Sequence, residues 1–125
     1  MRLWHQSLIT KLPRQQLLGQ HRECCALRGN AWGKKHSVVD YVFCHPMEYL
    51  VAYHLLVMEE MATRNYNVSD QWMDYNYRGK NCEKANLNFE LIEEIKASKN
   101  IYKEHDDEYL NECLANLRNK GIELF

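Results

Sequence analysis

Seven lysines and arginines fall within the first 36 residues, and a single carboxylate, Glu23, stands among them. The basic residues are Arg2, Lys11, Arg14, Arg22, Arg28, Lys34 and Lys35, and the rest of the chain carries nine basic and sixteen acidic side chains. A chain of net charge −1 therefore divides into a basic N-terminal part and an acidic remainder. Such a basic part suits an anionic partner, above all a phosphate backbone. An acid placed alone in that field is open to two readings. It is a counter-ion for Arg22 on a solvated helix face, or it is a working group that the arginines hold ionised.

Other chemistry is sparse. There is no glycine-rich phosphate loop, no HExxH and no paired CxxC. Cys44-His45 near His36 is the local cluster of potential metal ligands, and its spacing matches no standard site. Five cysteines form an odd, irregular set, which suits reduced thiols and a cytoplasmic setting. Cys24 and Cys25 fall among apolar residues and read as core packing; His54 reads as a hydrogen-bonded core histidine. The stretch from Trp72 to Lys80 mixes rings and cations, as single-strand-binding surfaces do and as packed loops also do. No run of apolar residues is long enough for a membrane span, and the start lacks the apolar stretch of a signal peptide.

The elements that must position these groups read as helices. At 125 residues and 46% apolar composition, one domain spanning 1–125 is expected. Pro13 opens a first helix whose Leu17, Leu18, His21, Cys24, Cys25 and Leu27 form one stripe, with Gly29-Asn30 as its stop. On that helix Gln15, Gly19 and Arg22 share a face, as do Gln16, Gln20 and Glu23. A long connection follows to His45, with Val38 to Phe43 as a short strand or a buried irregular segment. Pro46 starts the strongest helix, which runs to about Arg64 and is broad enough in its apolar face to be central. Residues 66–84 show no helical period. Asn86 or Asn88 begins a third helix, and His105-Asp106-Asp107 caps a fourth that ends at Gly121. The fold class is all-α, three or four helices around one core with long connecting loops.

The residues Leu8, Leu12, Gln15, Leu17 and Arg22-Glu23 resemble the active-site helix of the phage-type pyrimidine-dimer DNA glycosylases, often called endonuclease V of phage. The similarity resumes in Gly33-Lys34-Lys35, Pro46, Glu60 and Arg64-Asn65-Tyr66-Asn67-Val68, and Met1-Arg2-Leu3-Trp4 resembles the start of bacterial members. It covers roughly residues 1–70. The resemblance implies a compact helical domain that cleaves the glycosidic bond of an ultraviolet-damaged pyrimidine in double-stranded DNA and nicks the strand by β-elimination. It implies an α-amine nucleophile, here Met1, with Glu23 supporting the imine chemistry. It also implies phosphate and substrate contacts from Arg2, Gln15, Arg22, Arg28, Lys34 and Lys35, and neither metal nor cofactor. The chain departs from the pattern in three places. Met1 precedes Arg2 where the phage chain exposes a threonine before its arginine; Ala26 stands where the family has an arginine; and the end, Gly121-Ile122-Glu123-Leu124-Phe125, is not basic. The alternatives are a non-catalytic nucleic-acid-binding module of the same fold, an enzyme acting on another N-glycosidic bond, and an interaction protein whose acidic part meets a basic partner.

Overall fold

In a computed structural model, which describes residues 2–124, the chain forms four α-helices, α1 (Arg14–Arg28), α2 (Met47–Thr63), α3 (Phe89–Ala97) and α4 (Asp107–Asn119). Short 3-10 turns at Gln6–Leu8, Asp40–Cys44 and Asp70–Met73 punctuate the connections. Among the described residues there is no strand, so the all-α expectation holds. The apolar stretch near residue 40 is the second of these turns, anchored by buried Val39 and Val42 rather than by strand pairing.

The helix boundaries follow from local chemistry. Pro13 and Pro46 are the residues just before α1 and α2, where a missing N–H costs nothing. Asn88 accepts a hydrogen bond from the Leu91 amide and Asp106 from the Tyr109 amide, capping α3 and α4. Asn65, with φ 63°, and Gly121, with φ 81°, end α2 and α4 in the left-handed region. Gly29 ends α1 for another reason. Its φ is −95°, but a Cβ there would stand 2.9 Å from the Arg78 carbonyl oxygen. The glycine is required by that close approach of backbone.

α2 is the central helix, packed on one side by α1 and on another by α3. Leu50, Val51, Ala52, Tyr53, His54, Leu55, Val57, Met58 and Met61 are all buried along it. On α1 the buried set is Leu17, Gln20, Cys24, Leu27 and Arg28, while Leu18, His21 and Cys25 are half-buried. The stripe predicted from apolar residues is thus turned toward two polar side chains, and both have structural work.

The first of these, Gln20, holds the extended segment before the Gln6–Leu8 turn; its geometry is given below. The second, Arg28, reaches from the end of α1 into the loop that follows the Asp70–Met73 turn. Its guanidinium donates to the carbonyls of Trp72 at 3.0 Å, Asp74 at 2.9 Å, Tyr75 at 3.2 Å and Tyr77 at 3.0 Å, and lies 5.1 Å from the Trp72 ring centre. Arg78 of that loop returns the favour, its Nε donating to the Arg28 carbonyl at 2.7 Å and its Nη2 to the Gly29 carbonyl at 3.2 Å. The loop has no helical or sheet ladder, so these exchanged arginines satisfy carbonyls that it cannot satisfy itself.

α4 closes the other side of the N-terminal segment. The Tyr109 hydroxyl donates to the Leu3 carbonyl, and Cys113 and Leu117 are buried behind it. His105, predicted as part of the cap, is instead buried. It accepts the Gln6 amide on Nδ1 at 3.1 Å, which leaves its Nε2–H for the Tyr41 hydroxyl at 2.6 Å.

Arg28→Leu keeps bulk but strands the loop carbonyls, each of which costs about 1–3 kcal/mol if left unpaired. The variant is expected to lose on the order of 3 kcal/mol of stability and to unfold roughly 10 °C lower. Thermal unfolding followed by circular dichroism checks this; a melting temperature equal to the parent's would show that the arginine does not hold the loop.

Candidate active site

α1 places Gln20 and Glu23 on the side of the helix that faces the start of the chain. Gln20 is 1% exposed. Its Oε1 accepts the Trp4 amide at 2.7 Å, and the Tyr53 hydroxyl from α2 sits 3.0 Å away, shared with the Trp4 carbonyl. Its Nε2 donates to the Arg2 carbonyl at 2.9 Å and to Glu23 Oε2 at 3.1 Å. One side-chain amide therefore fixes the backbone of residues 2–4 much as a neighbouring strand would. The Arg2 amide itself donates to the same Glu23 Oε2 at 3.2 Å. Glu23 is thus held by two N–H donors, one of them in the backbone beside the first residue.

The Glu23 carboxyl titrates above its ordinary range. Burial is the main cause, and the Arg2 amide, the Gln20 amide and the Arg22 charge offset it only in part. This corrects the expectation that neighbouring arginines hold it strongly ionised. Among the described residues no lysine or arginine forms an ion pair with Glu23. The Arg2 guanidinium instead lies 5.7 Å from the Trp4 ring centre and 5.9 Å from that of Tyr109, with Nη1 3.9 Å from Cys113 Sγ. Arg22 is exposed on the next position of the helix.

A cleft of about 260 Å³ opens over Glu23, lined by Arg2, Trp4, Val38, Asn116 and Lys120 as well. Asn116 and Lys120 lie four residues apart at the end of α4, and sequence reasoning missed both. Nothing in their local pattern signals the site; only the packing of α4 on the N-terminal segment brings them there. Of the predicted residues, Arg2 and Glu23 share this cleft, and Arg22 is exposed on α1 without lining it. Met1 lies outside the described residues. Gln15 is exposed in the first turn of α1, Lys35 is exposed after the helix, and Lys34 lines a separate cleft at the far end of α1. Gly19 meets nothing closer than the flexible end of Arg22, at 3.7 Å from a built Cβ, so no close backbone approach explains it.

Arg28 needs a correction. It has no exposed surface and its Nη1 and Nη2 donors are committed to the loop carbonyls and His54, so a phosphate has no access to it. An arginine near Glu23 in sequence read as a substrate contact because the loop that buries it has no sequence signature.

Cys44, His45 and His36, whose spacing matched no standard metal site, do not converge on one point. Cys44 donates to the Asp40 carbonyl, His45 pairs with Glu104 at 3.0 Å, and the His36 amide donates to Asp40. The potential ligands that do converge, among the described residues, are His21, Cys25 and His54, all within 4.8 Å of one another. Their protons can be placed. Arg28 Nη1 donates to His54 Nδ1 at 3.0 Å, so the His54 proton is on Nε2 and is given to His21 Nδ1 at 2.8 Å. The His21 proton is then on Nε2, 3.8 Å from Cys25 Sγ. This arrangement opposes a metal. The nitrogen of His54 that faces the cluster carries a hydrogen, and its other nitrogen meets a cation rather than the acceptor a ligating histidine needs. Burial also pushes the Cys25 thiol up to about 11, away from the thiolate that binds metals.

A family model described as pyrimidine dimer DNA glycosylase matches residues 1–74. The chain belongs to that family. The match contains the N-terminal segment, α1, α2 and Glu23, and stops before Arg78, α3 and α4. No curated protein and no solved structure matched. Among the described residues no helix is long and apolar enough to cross a membrane.

Burial holds His54 and His105 neutral, His54 well below its ordinary pKa and His105 down to about 3. Their folded pKa values lie below the unfolded ones, so the unfolded chain takes up protons that the folded chain refuses. Stability is therefore full above about pH 6.5 and is lost as pH falls below it, by up to about 1.4 kcal/mol per pH unit for each histidine. Urea unfolding at pH 7 and pH 5 measures this; equal stability at both would mean that these rings are not held neutral.

Proposed function

We propose that this chain is a DNA repair glycosylase with AP lyase activity, acting on pyrimidine dimers in double-stranded DNA through the α-amine of Met1. The observation that carries the reading is the double hydrogen bond to Glu23 Oε2 from the Arg2 amide and Gln20. Consecutive residues are separated by only about 3.8 Å between Cα atoms. The amide so held belongs to Arg2, the residue bonded to Met1, which supports an amine acting beside the one carboxylate of the basic segment.

That pairing suits a defined sequence of steps. An α-amine has an ordinary pKa of roughly 7.7–8.0, so a useful fraction is neutral and nucleophilic near neutral pH. Its nitrogen attacks C1′ of the damaged nucleotide, the glycosidic bond breaks, and the base leaves with its electron pair and takes up a proton. Loss of the amine proton and opening of the sugar ring give a protonated imine. Glu23 faces the developing positive charge as an anion. It then removes a proton from C2′, and the 3′-phosphate leaves by β-elimination. A carboxylate whose pKa burial has raised is a better proton acceptor for that step than a solvated one. Water finally releases the amine.

The basic segment supports DNA as the substrate. Arg2 is at the cleft, Arg22 and Gln15 are on the exposed face of α1, and Lys34 and Lys35 follow the helix. The non-catalytic reading draws on one observation. Ala26 stands where the resemblance implies an arginine, and buried Arg28 does not take its place. The same experiment separates the two.

Glu23→Gln is expected to be at least as stable as the parent at pH 7, because an ionised carboxylate with a raised folded pKa works against folding there. It is expected to keep its affinity for a duplex carrying a thymine dimer and to lose about 10²-fold or more in strand cleavage. Cleavage at the parental rate would make Glu23 a counter-ion, and a parent that binds the dimer without cleaving would leave a binding module.

A further inference from the structure

A larger cleft, of about 540 Å³, opens at the far end of α1, between the residues that follow the helix and the loop docked by the exchanged arginines. Three permanently charged groups line it, Lys34, Arg78 and Lys80, together with His36, and no aspartate or glutamate does. The part of the chain beyond residue 36 is rich in acids, so an acid-free wall runs against its composition. Arg78 is already immobilised by the Arg28 and Gly29 carbonyls, while Lys34, from the residues after α1, and Lys80, from the loop, are exposed. Gly79, with φ 98°, turns the loop against the Trp72 ring and lets Arg78 and Lys80 line the same cleft. A set of cations of which Arg78 is fixed, with no carboxylate among the lining residues, fits an anion carrying repeated charge.

Its place relative to Glu23 identifies that anion. Ala26 of α1 and Gly29, which caps its C-terminal end, form part of the cleft wall, three and six residues along the chain from Glu23. At 1.5 Å per residue these two positions lie about 5–9 Å from Glu23 along the helix axis. A nucleic-acid strand advances about 3.4 Å per nucleotide along its axis. We propose that this cleft holds the phosphate backbone of the DNA strand about one to three nucleotides from the damaged site. The inference rests on DNA being the substrate. It adds contacts from Arg78 and Lys80, which lie beyond the residues that match the family. It also gives the mixture of rings and cations between Trp72 and Lys80 a division of labour: Trp72 packs the loop and Lys80 meets the ligand.

The test measures fluorescence anisotropy on a duplex carrying a tetrahydrofuran abasic analogue, in the parent, Lys80→Ala and Lys80→Glu, each with its melting temperature. One lost phosphate contact makes the log–log salt slope shallower by about 0.9, which at 0.1 M salt is a loss of roughly eightfold. Lys80→Ala is expected to show that change and Lys80→Glu a larger one. A methylphosphonate about one to three nucleotides from the analogue is expected to weaken the parent but not Lys80→Ala. Should Lys80→Glu fail to fold, Lys34→Glu is expected to give the same loss. Folded variants that bind like the parent overturn the proposal. Cleavage of dimer-containing DNA by the parent, followed in parallel, keeps the two claims apart. A parent that cleaves while the variants bind normally sinks the cleft alone; a parent that never cleaves, yet loses affinity in Lys80→Glu, keeps the cleft and sinks the lyase. Cys82, also in the cleft wall, reports the ligand's source through maleimide labelling. Protection by the duplex supports the backbone assignment, and protection by thymidine monophosphate but not by the duplex overturns it.

Discussion

The side-chain amide of Gln20 is the interaction on which the candidate site depends. A chain start is ordinarily the least ordered part of a domain. Here it is tied down by a group that satisfies the Trp4 amide, the Arg2 carbonyl and Glu23 together, inside a core that excludes water. A buried amide with unpaired atoms would be costly, so the alternative arrangements of residues 2–4 are disfavoured by the same hydrogen bonds that define this one. Tyr53 of the central helix and Tyr109 of α4 brace the segment from two further sides. The cleft is therefore a product of three helices, although its carboxylate comes from one.

The two exchanged arginines do for the long loop what Gln20 does for the chain start. Arg28 contributes donors to a backbone that has no ladder of its own, and Arg78 returns donors to the end of α1. The cost is a buried guanidinium, whose pKa burial lowers to about 10. Its charge also orders the neighbouring ring protons, so that His54 and His21 point their hydrogens in one direction, away from Arg28. One residue thus fixes the loop, sets two tautomers and leaves the basic wall of the far cleft in place.

Much of this was legible in the sequence where local chemistry decides structure. The prolines before α1 and α2 and the caps Asn88 and Asp106 sit at helix starts, and Gly121 at a helix end. Glu23 stood out because it is the lone acid of a basic segment, and it does lie in an open cleft. What was not legible depends on partners distant in sequence. Gln20 reads as a surface residue until Trp4 and Tyr53 are brought to it. Arg28 reads as a phosphate contact until the carbonyls of 72–77 surround it. Lys120 and Asn116 carry no signal without α4 lying on the N-terminal segment. The direction of the Glu23 titration was misjudged for a related reason: charge neighbours are visible in a sequence, whereas desolvation is not, and burial is the larger effect.

The central claim is that the fold delivers the chain's own amine to Glu23. Reduction with borohydride in the presence of DNA carrying an abasic site, followed by proteolysis and peptide mapping, tests it most directly. The account predicts a covalent adduct on the N-terminal peptide, at the α-nitrogen of Met1. An adduct on an internal lysine, such as Lys120 in the same cleft or Lys11, or no adduct on a protein that still nicks the strand, would contradict it.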